Sequence, residues 1–556
     1  MARTLWSSET KGMGSDFSIE GMCVDVLNSA IYAAEIEISE GKIAAITKKN
    51  KSYAIFIIPG LVDAHVHVES SMLVPAEFAR MAVAHGTVAA VCDPHEIANV
   101  LGTEGIDYMI ENAGTVPFKF FLGAPSCVPA TGFETAGASV DATAIEALLK
   151  RDEIKYLSEM MNYPGAINGD PGVMAKIRAA QKYGKPIDGH APALRGGQCE
   201  AYVKMGISTD HECVSLEEAL EKISYGMKIL IREGSAARNF IALAPLIAGH
   251  WHNVMFCTDD IHPDDLVRGH INLMVKLAID AGHDIMKVLR CACVNPVLHY
   301  RLDVGLLRVG DCADFAVVDG LESFNILKTY VNGRLVAENG TPLIAHTPYR
   351  HVNNFNAAPK SDSDFFVPKS DSTLKVIGAL NGQLITDKRH GKAKVSNGNL
   401  VSNVDDDILK IAVVNRYEKE TPPAVGFIHN FGLNDGALAS SISHDSHNII
   451  AVGVTDYYLC EAVNLIIEHR GGISAISKDE KKILPLPVAG LMSTDDGLEV
   501  ARRYAELNEF AIRLGSSLSA PFMMLSFMAL LVIPHLKLSD KGMFDSDTFQ
   551  FTSLFQ

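Results

Sequence analysis

The sequence has few cysteines and no excess of positive charge. Ten cysteines in 556 residues are too sparse for a disulfide scaffold, and no Cys-x-x-Cys pair occurs. Lys and Arg number 49 against 66 Asp and Glu, which gives a net charge of −17. Because nucleic-acid binding depends on concentrated Lys and Arg, we expect no nucleic-acid partner.

A long apolar run is also missing. The most apolar stretch, FMMLSFMALLVI, covers residues 522–533 and is bounded by Pro521 and Pro534. A membrane span needs ~20 apolar residues, so this run predicts a buried helix and no membrane partner. The opening residues, MARTLWSSETKG, lack the apolar segment of a signal peptide. Together with the sparse cysteines, these features predict a cytoplasmic protein.

The chain is long enough for about three domains. Short strand-like pieces fill residues 1–58 and return over 301–356, where Asn332-Gly333 is typical of a hairpin turn. We therefore predict one small β domain built from both flanks of the central region. After a polar linker, residues 368–556 predict a separate C-terminal α/β domain.

Residues 59–300 alternate between strand-like and helix-like segments. The strand-like runs are LVDAHVHV, TVAAVCDP, FKFFLGAP, IKYLSEMM, KPIDGHAP, GISTDHE, MKILIREG and NVMFCTDD. Amphipathic stretches such as AEFARMAVAHG and SLEEALEKISYG separate them. Eight strands with intervening helices predict an α/β fold, a (β/α)8 TIM-like barrel.

Residues that bind metals in proteins recur at the ends of these strands. His65 and His67 end the first strand, and residues i and i+2 on a strand project to the same side. Such a pair binds one metal ion or forms ordinary hydrogen bonds. The later strands add Glu159, His190, His211 and Asp259. Because barrel enzymes carry their active sites at the carboxyl ends of the strands, the set predicts a metal site.

Further polar residues are candidates for contacting a substrate or supporting the ligands. They are Asp93, His95, Glu96, Glu212, Asp260, His444, Asp445 and His447. For the group around Asp93, an Asp-Pro turn before a helix is an equally ordinary interpretation. After the seventh strand, Arg232, Glu233 and Ser235 are either substrate contacts or part of a salt bridge.

The stretch PGLVDAHVHVESS resembles the strand-one signature of the amidohydrolase superfamily, in which a metal-bearing barrel is joined to a flanking β domain. Within that superfamily, the chain is similar to the microbial adenine deaminase family. The matching stretches are DPHEIANVLG, YLSEMMNYPG, DGHAP, GISTDHE, TDDIHPDDL, SISHDSHNIIAVG and LPLPVAGLMS. They extend into the C-terminal domain, which other amidohydrolases lack.

The resemblance implies hydrolytic deamination of adenine to hypoxanthine and ammonia at a dinuclear centre of Mn²⁺ or Fe²⁺, with Zn²⁺ as an alternative. By the same resemblance, one ion is bound by His65, His67 and Asp259, the other by His190 and His211, and Glu159 bridges them. Asp259 and Glu159 would be the catalytic residues, with Asp259 moving the proton. Asp260 is expected to face away from the metal. We also expect a homo-oligomer.

Another amidohydrolase reaction is the alternative, such as N-acetyl-sugar deacetylation or cyclic amide hydrolysis. Hydantoinase-like members bridge their metals with a carbamylated lysine, but strand four offers Glu159, and Lys155 lies too early in it. The glutamate is compatible with a deacetylase, whereas the C-terminal domain argues against one. A scaffold that had lost its activity would lack ligands, and every expected ligand is present.

Overall fold

The computed structural model describes residues 16–235 and 237–556, and a barrel of parallel strands lies at its centre. Its strands, called barrel strands one to eight in chain order, are Leu61–Val66, Thr87–Cys92, Lys119–Ala124, Ile154–Met160, Ile187–Gly189, Thr209–Asp210, Lys228–Arg232 and Val254–Cys257. The first five form one sheet and the last three another. A parallel bridge between Val66 and Asp259 joins strand one to strand eight, and Ser208 N donates to Ile187 O at 2.9 Å between strands five and six. The predicted eight-stranded barrel is confirmed.

Helices follow the strands and cover the outside of the barrel. They are Pro75–Val83, His95–Leu101, Thr103–Ala113, Ala142–Leu149, Tyr163–Asn168, Pro171–Lys182, Gly196–Lys204, Leu216–Ser224, Phe240–Leu243, Leu246–His250, Pro263–Arg268, Ile271–Asp280, Ile285–Leu289 and Asn295–Tyr300. The side chain of Asp170 accepts a hydrogen bond from Val173 N, and that of Ser215 from Glu218 N, so local sequence fixes where these helices begin. Strand one is buried along its whole length, as expected for a parallel strand covered on both sides.

Strands from before and after the barrel share one eight-stranded sheet. They are Phe17–Asp25, Ala30–Ser39, Lys42–Lys48, Phe56–Pro59, Phe315–Val318, Ile326–Val331, Arg334–Glu338 and Thr341–Pro342. Phe56–Pro59 joins the two flanks, because it pairs with Phe17–Asp25 on one side and Phe315–Val318 on the other. Asn332 and Gly333 have φ values of 47° and 71°, the left-handed pair that a tight hairpin turn requires.

The C-terminal region is built on a second eight-stranded sheet. In spatial order its strands are Thr386–Gly391, Leu374–Ala379, Ala424–His429, Ile408–Val414, Ile449–Gly453, Ala437–Ser440, Gly472–Ile476 and Lys481–Pro485. Helix Asp456–His469 packs on this sheet through residues spaced three and four apart, such as Leu459, Val463 and Ile466. The other α-helices of this region are Gly497–Arg513 and Pro521–Ser526.

Short elements complete the fold. Small strands are Val367–Pro368, Lys394–Ser396, Asn399–Val401, Leu536–Ser539, Gly542–Asp545 and Gln550–Phe551. Single turns of 3₁₀-helix are Val68–Ser71, Trp251–Asn253, Asp362–Phe365, Val404–Asp406 and Phe527–Ala529, and Arg290–Val294 is a π-helical turn.

The apolar run at 522–533 is buried but is not one helix. Its α-helix ends at Ser526, a 3₁₀ turn covers Phe527–Ala529, and irregular chain follows up to Pro534. The prediction of a single buried helix was therefore right about burial and wrong about continuity. Among the described residues, no helix combines the length and apolar character needed to cross a membrane.

Candidate metal centre

The predicted metal ligands meet at the carboxyl end of the barrel strands. Five of them, His67, Glu159, His190, His211 and Asp259, line one cavity of about 40 Å³. His65 is fully buried beside them and stacks on His211, with the ring centroids 4.3 Å apart. Strands one, four, five, six and eight thus each bring a side chain to the same place.

Glu159 lies between two groups of histidines. Its Oε1 is 3.5 Å from Nε2 of His67, whereas its Oε2 is 3.0 Å from Nδ1 of His190 and 3.2 Å from Nε2 of His211. Each carboxylate oxygen therefore faces a different group. Ser126 Oγ donates to the backbone oxygen of Glu159 at 2.5 Å and fixes this end of strand four.

Asp259 lies on the side of His65 and His67. Its Oδ1 is 3.1 Å from Nε2 of His67 and 3.4 Å from Nε2 of His65, while its Oδ2 accepts a hydrogen bond from Arg232. Burial opposes ionisation, but Arg232 and His211 hold the pKa of Asp259 well below its usual value.

Arg232 forms a salt bridge, which was one of its two predicted roles. Its Nη1 donates to Glu212 Oε1 at 2.5 Å as well as to Asp259. Glu212 in turn lies 3.3 Å from Nε2 of His211. Of the two neighbours that sequence analysis named with Arg232, Ser235 bonds to Asp265, and neither Ser235 nor Glu233 lines the cavity.

Asp260 was expected to face away from the metal, and the structure shows that it also lines the cavity. Strand eight ends at Cys257, and Asp259 has a φ of 57°. The side-chain alternation of an extended strand does not apply across this left-handed residue. Asp260 instead accepts a hydrogen bond from Ser70 Oγ at 2.5 Å.

Backbone pairing aligns strands one and eight at the site. His67 N donates to Asp259 O at 3.0 Å, and Asp259 N donates to His65 O at 2.9 Å. Asp63 strengthens the link, because its Oδ1 accepts from Thr258 N at 3.1 Å. The histidines of strand one and Asp259 are therefore held as a single unit.

The residues after strand two reach the same centre. His95 Nδ1 is 3.4 Å from Glu159 Oε1 and 3.2 Å from Asp93 Oδ2. One donor atom each from His67, Asp93, His95 and Glu159 lie within 4.8 Å of one another. His95 thus lies as close to Glu159 as the predicted histidine ligands do, and Asp93 lies beside His95.

Several buried polar atoms of the centre have no hydrogen-bond partner. They include both ring nitrogens of His65, both carboxylate oxygens of Asp93 and Nδ1 of His95. Buried polar groups are nearly always hydrogen-bonded, so a cluster of exceptions among nitrogen and carboxylate donors fits a bound cation. A donor set of imidazole and carboxylate without thiolate suits Mn²⁺, Fe²⁺ or Zn²⁺.

The C-terminal region contacts the barrel beside the predicted metal centre. His444 Nδ1 and His447 Nε2 each hydrogen-bond to one oxygen of Glu96. Burial disfavours the charged imidazole of His444, yet Glu96 raises the pKa of His444 to about 9, whereas burial lowers the pKa of His447 to about 4. Glu96, His444 and Asp445 line the cavity, and His447 holds Glu96 from outside it.

Sequence analysis missed an apolar wall of the cavity. It is formed by Leu384, Phe527, Leu530, Val532 and Ile533. The ring of Phe527 stacks on His444, with centroids 4.6 Å apart and 10° between the planes. The run at 522–533 was recognised as buried, but periodicity gives no sign of whether such a run faces a core or a site.

Family models and curated relatives match most of the chain. The model of the amidohydrolase family matches residues 56–336, and that of the adenine deaminase C-terminal domain matches residues 383–550. Adenine deaminase of Salinibacter ruber is 54% identical over 98% of this chain and 100% of its own. Adenine deaminase of a Sulfurovum species is 54% identical over 95% of this chain and 98% of its own. A solved β-aspartyl dipeptidase of Fervidobacterium islandicum is 15% identical, with a TM-score of 0.46 over 60% of this chain and 98% of its own.

Proposed function

The chain belongs to the amidohydrolase family and, within it, to the adenine deaminases, and on that premise we propose how its residues act. It catalyses the hydrolytic deamination of adenine, in which adenine and water give hypoxanthine and ammonia. The position of Glu159 carries the proposal for the site, because its two oxygens face separate groups of histidines. Such a carboxylate can be shared by two cations.

A divalent metal ion serves the reaction, and we propose that two are bound. His65, His67 and Asp259 would hold one, His190 and His211 the other, and Glu159 both. The unpartnered nitrogens of His65 support this assignment. Mn²⁺ and Fe²⁺ are the proposed ions, with Zn²⁺ as the alternative, since all three accept imidazole and carboxylate ligands.

When bound, such a pair of ions lowers the pKa of water and makes hydroxide available at neutral pH. Asp259 is positioned to take up the proton of the attacking water and pass it to the ring or to the leaving amino group. Arg232 holds the Asp259 carboxylate in place through Oδ2, which leaves Oδ1 directed toward the histidines. Attack at C6 followed by loss of ammonia yields hypoxanthine.

The remaining polar residues are proposed to orient the substrate or the ligands. Asp93, His95 and Glu212 lie against the histidines and Glu159. Glu96, Asp260, His444 and Asp445 line the cavity, and His447 supports Glu96. Because these groups come from both the barrel and the C-terminal region, the site is incomplete without either part.

Ammonia release tests the proposal. Protein stripped of metal and reloaded with Mn²⁺, Fe²⁺ or Zn²⁺ should release ammonia from adenine, and the metal-free protein should not. An N-acetyl sugar phosphate and a cyclic amide test the alternative reactions of the superfamily, which are not favoured. Turnover of these compounds without turnover of adenine would contradict the proposal.

Cellular location and assembly are proposed from the sequence. All ten cysteines are free thiols, which supports a reducing compartment such as the cytoplasm. We also propose a homo-oligomer, which sedimentation of the purified protein would test.

A further inference from the structure

The cavity beside the metal ligands has two unlike walls. The barrel supplies histidines and carboxylates, including His67, Glu159 and Asp259. The C-terminal region supplies Leu384, Phe527, Leu530, Val532 and Ile533. A substrate whose reacting atom faces the histidines therefore presents its opposite end to the apolar wall.

Asp445 lies in the cavity with this wall and is 3% exposed. Its Oδ1 is 3.9 Å from Nε2 of His95, and its Oδ2 has no hydrogen-bond partner. A buried carboxylate oxygen without a donor is costly, so this oxygen is available to an N–H group of a ligand.

Adenine has such a group at its far end. The reaction occurs at C6 of the six-membered ring, whereas the imidazole ring lies at the other end of the molecule. The free base carries an N–H on that ring, at N9 or N7. A nucleoside carries carbon on N9 and has no N–H there.

We propose that Asp445 accepts the imidazole N–H of the free base, while Leu530 and Ile533 close the space around N9. The inference rests on the proposed function and adds the residues that restrict the substrate to unsubstituted adenine. A substituent on N9 removes the hydrogen bond and leaves the buried carboxylate unpaired, and it also meets the apolar wall. Loss of a hydrogen bond that a site is built to make can reject a ligand by ~10⁴–10⁵-fold.

Lys537 holds two segments of the apolar wall together. Lys537 is fully buried, and its Nζ donates to Leu384 O at 2.8 Å and to Phe527 O at 3.0 Å. Both residues line the cavity. Because the Lys537 side chain bonds to both segments, the wall resists moving aside for a larger ligand.

The steric part is tested with 9-methyladenine, which adds one methyl group. On the manganese-loaded full chain, kcat/KM for 9-methyladenine should be at least about 10³-fold below that for adenine. Leu530→Ala and Ile533→Ala should each reduce the ratio of kcat/KM for adenine to kcat/KM for 9-methyladenine by at least about tenfold. Leu531→Ala is the matched control, because Leu531 is fully buried in the same segment but does not line the cavity, and its ratio should stay that of the wild type.

The hydrogen bond is tested with Asp445→Ala. This variant should lose at least about 100-fold in kcat/KM for adenine and little for 9-methyladenine, with its metal content unchanged. Calorimetry gives a second readout, the binding affinity for the product. The wild type should bind hypoxanthine more tightly than 9-methylhypoxanthine, and Asp445→Ala should lose this difference.

Two outcomes would overturn the inference while leaving the proposed function intact. One is wild-type protein that turns over both bases equally well. The other is an unchanged ratio in the variants at Leu530, Ile533 and Asp445. A metal-loaded wild-type protein that releases no ammonia from adenine would instead overturn the proposed function.

Discussion

Glu96, in the helix after barrel strand two, accepts a hydrogen bond from His444 of the C-terminal region. The two residues are 348 positions apart in the sequence. Both line the cavity that contains five of the proposed metal ligands. The C-terminal region is thus bonded to the barrel inside the site itself.

Glu96→Gln should lower kcat/KM for adenine by about tenfold or more while metal content stays at the wild-type level. The neutral amide weakens the bonds to His444 and His447, and hydrogen bonds to charged groups contribute ~1.5–3 kcal/mol. Steady-state kinetics and metal analysis check this. Glu104→Gln, at an exposed position of the next helix, is the control and should behave as the wild type.

His67→Ala should lose most bound metal and most activity while the barrel stays folded. Its Nε2 lies 3.1 Å from Asp259 and 3.5 Å from Glu159, and residues at this end of a barrel usually serve function more than stability. Plasma mass spectrometry and circular dichroism measure metal and fold. His252→Ala, at an exposed position, should keep both. Full metal content in His67→Ala would contradict the assignment of strand one.

Glu159→Gln should lose metal occupancy and turnover together, because a neutral amide cannot supply the charge of the carboxylate that we propose two cations share. Metal analysis and ammonia release are measured on the same sample. Glu217→Gln is the control, since the Glu217 side chain is 85% exposed. Two ions per chain with a near-normal rate in Glu159→Gln would rule out the bridging role.

Asp259→Asn should reduce kcat by ~10²–10⁴-fold at equal metal content, the usual effect of losing a positioned acid–base group. Asp260→Asn should cost much less. Asp260 lines the same cavity but bonds to Ser70, so its effect should appear mainly in KM. A larger loss of kcat in Asp260→Asn than in Asp259→Asn would mean that Asp260, and not Asp259, is the acid–base group.

Lys537→Met should gain stability relative to the wild type most of all at low pH, where it removes a buried charge, although at every pH it leaves Leu384 O and Phe527 O without their donor. Burial lowers the pKa of Lys537 from 10.5 to about 7. Below about pH 7 both the folded and unfolded states hold the proton, and the buried charge costs its full free energy. Between about pH 7 and 10.5 only the unfolded state holds it, so wild-type stability rises by ~1.4 kcal/mol per pH unit.

The advantage of Lys537→Met should therefore shrink as pH rises. Urea midpoints of unfolding at pH 6, 8 and 10 measure it. The exposed Lys541→Met is the control and should differ from the wild type by a constant amount. A pH-independent difference between Lys537→Met and the wild type would mean that the folded and unfolded states bind the same number of protons, so that burial does not lower the pKa of Lys537.

The sequence predicted the barrel because its strands are continuous apolar runs and its ligand residues stand at their ends. Rules that hold for an extended strand placed His65 and His67 correctly on one side. The same rule does not apply after strand eight, because the left-handed backbone at Asp259 cannot be predicted from side-chain type. Local pattern thus located the site but not the direction of every side chain in it.

Contacts between distant parts of the chain could not be predicted from the local sequence pattern. Nothing around Glu96 indicates that His444 and His447 will bond to it. Likewise, the run that contains Phe527 has the composition of a core, and only the docking of the C-terminal region turns one side of it toward the cavity. Arg232 could be assigned to a salt bridge once Glu212 and Asp259 were seen beside it.

The sheet shared by the two flanks of the barrel cannot be completed until both flanks have been synthesised. Ile57 pairs with Val317, which leaves the ribosome about 260 residues later. At ~5–20 residues per second, strand Phe56–Pro59 waits roughly 10–50 s with one edge unpaired. During that interval the nascent chain exposes an apolar strand edge, which is a surface for chaperones and a risk of aggregation.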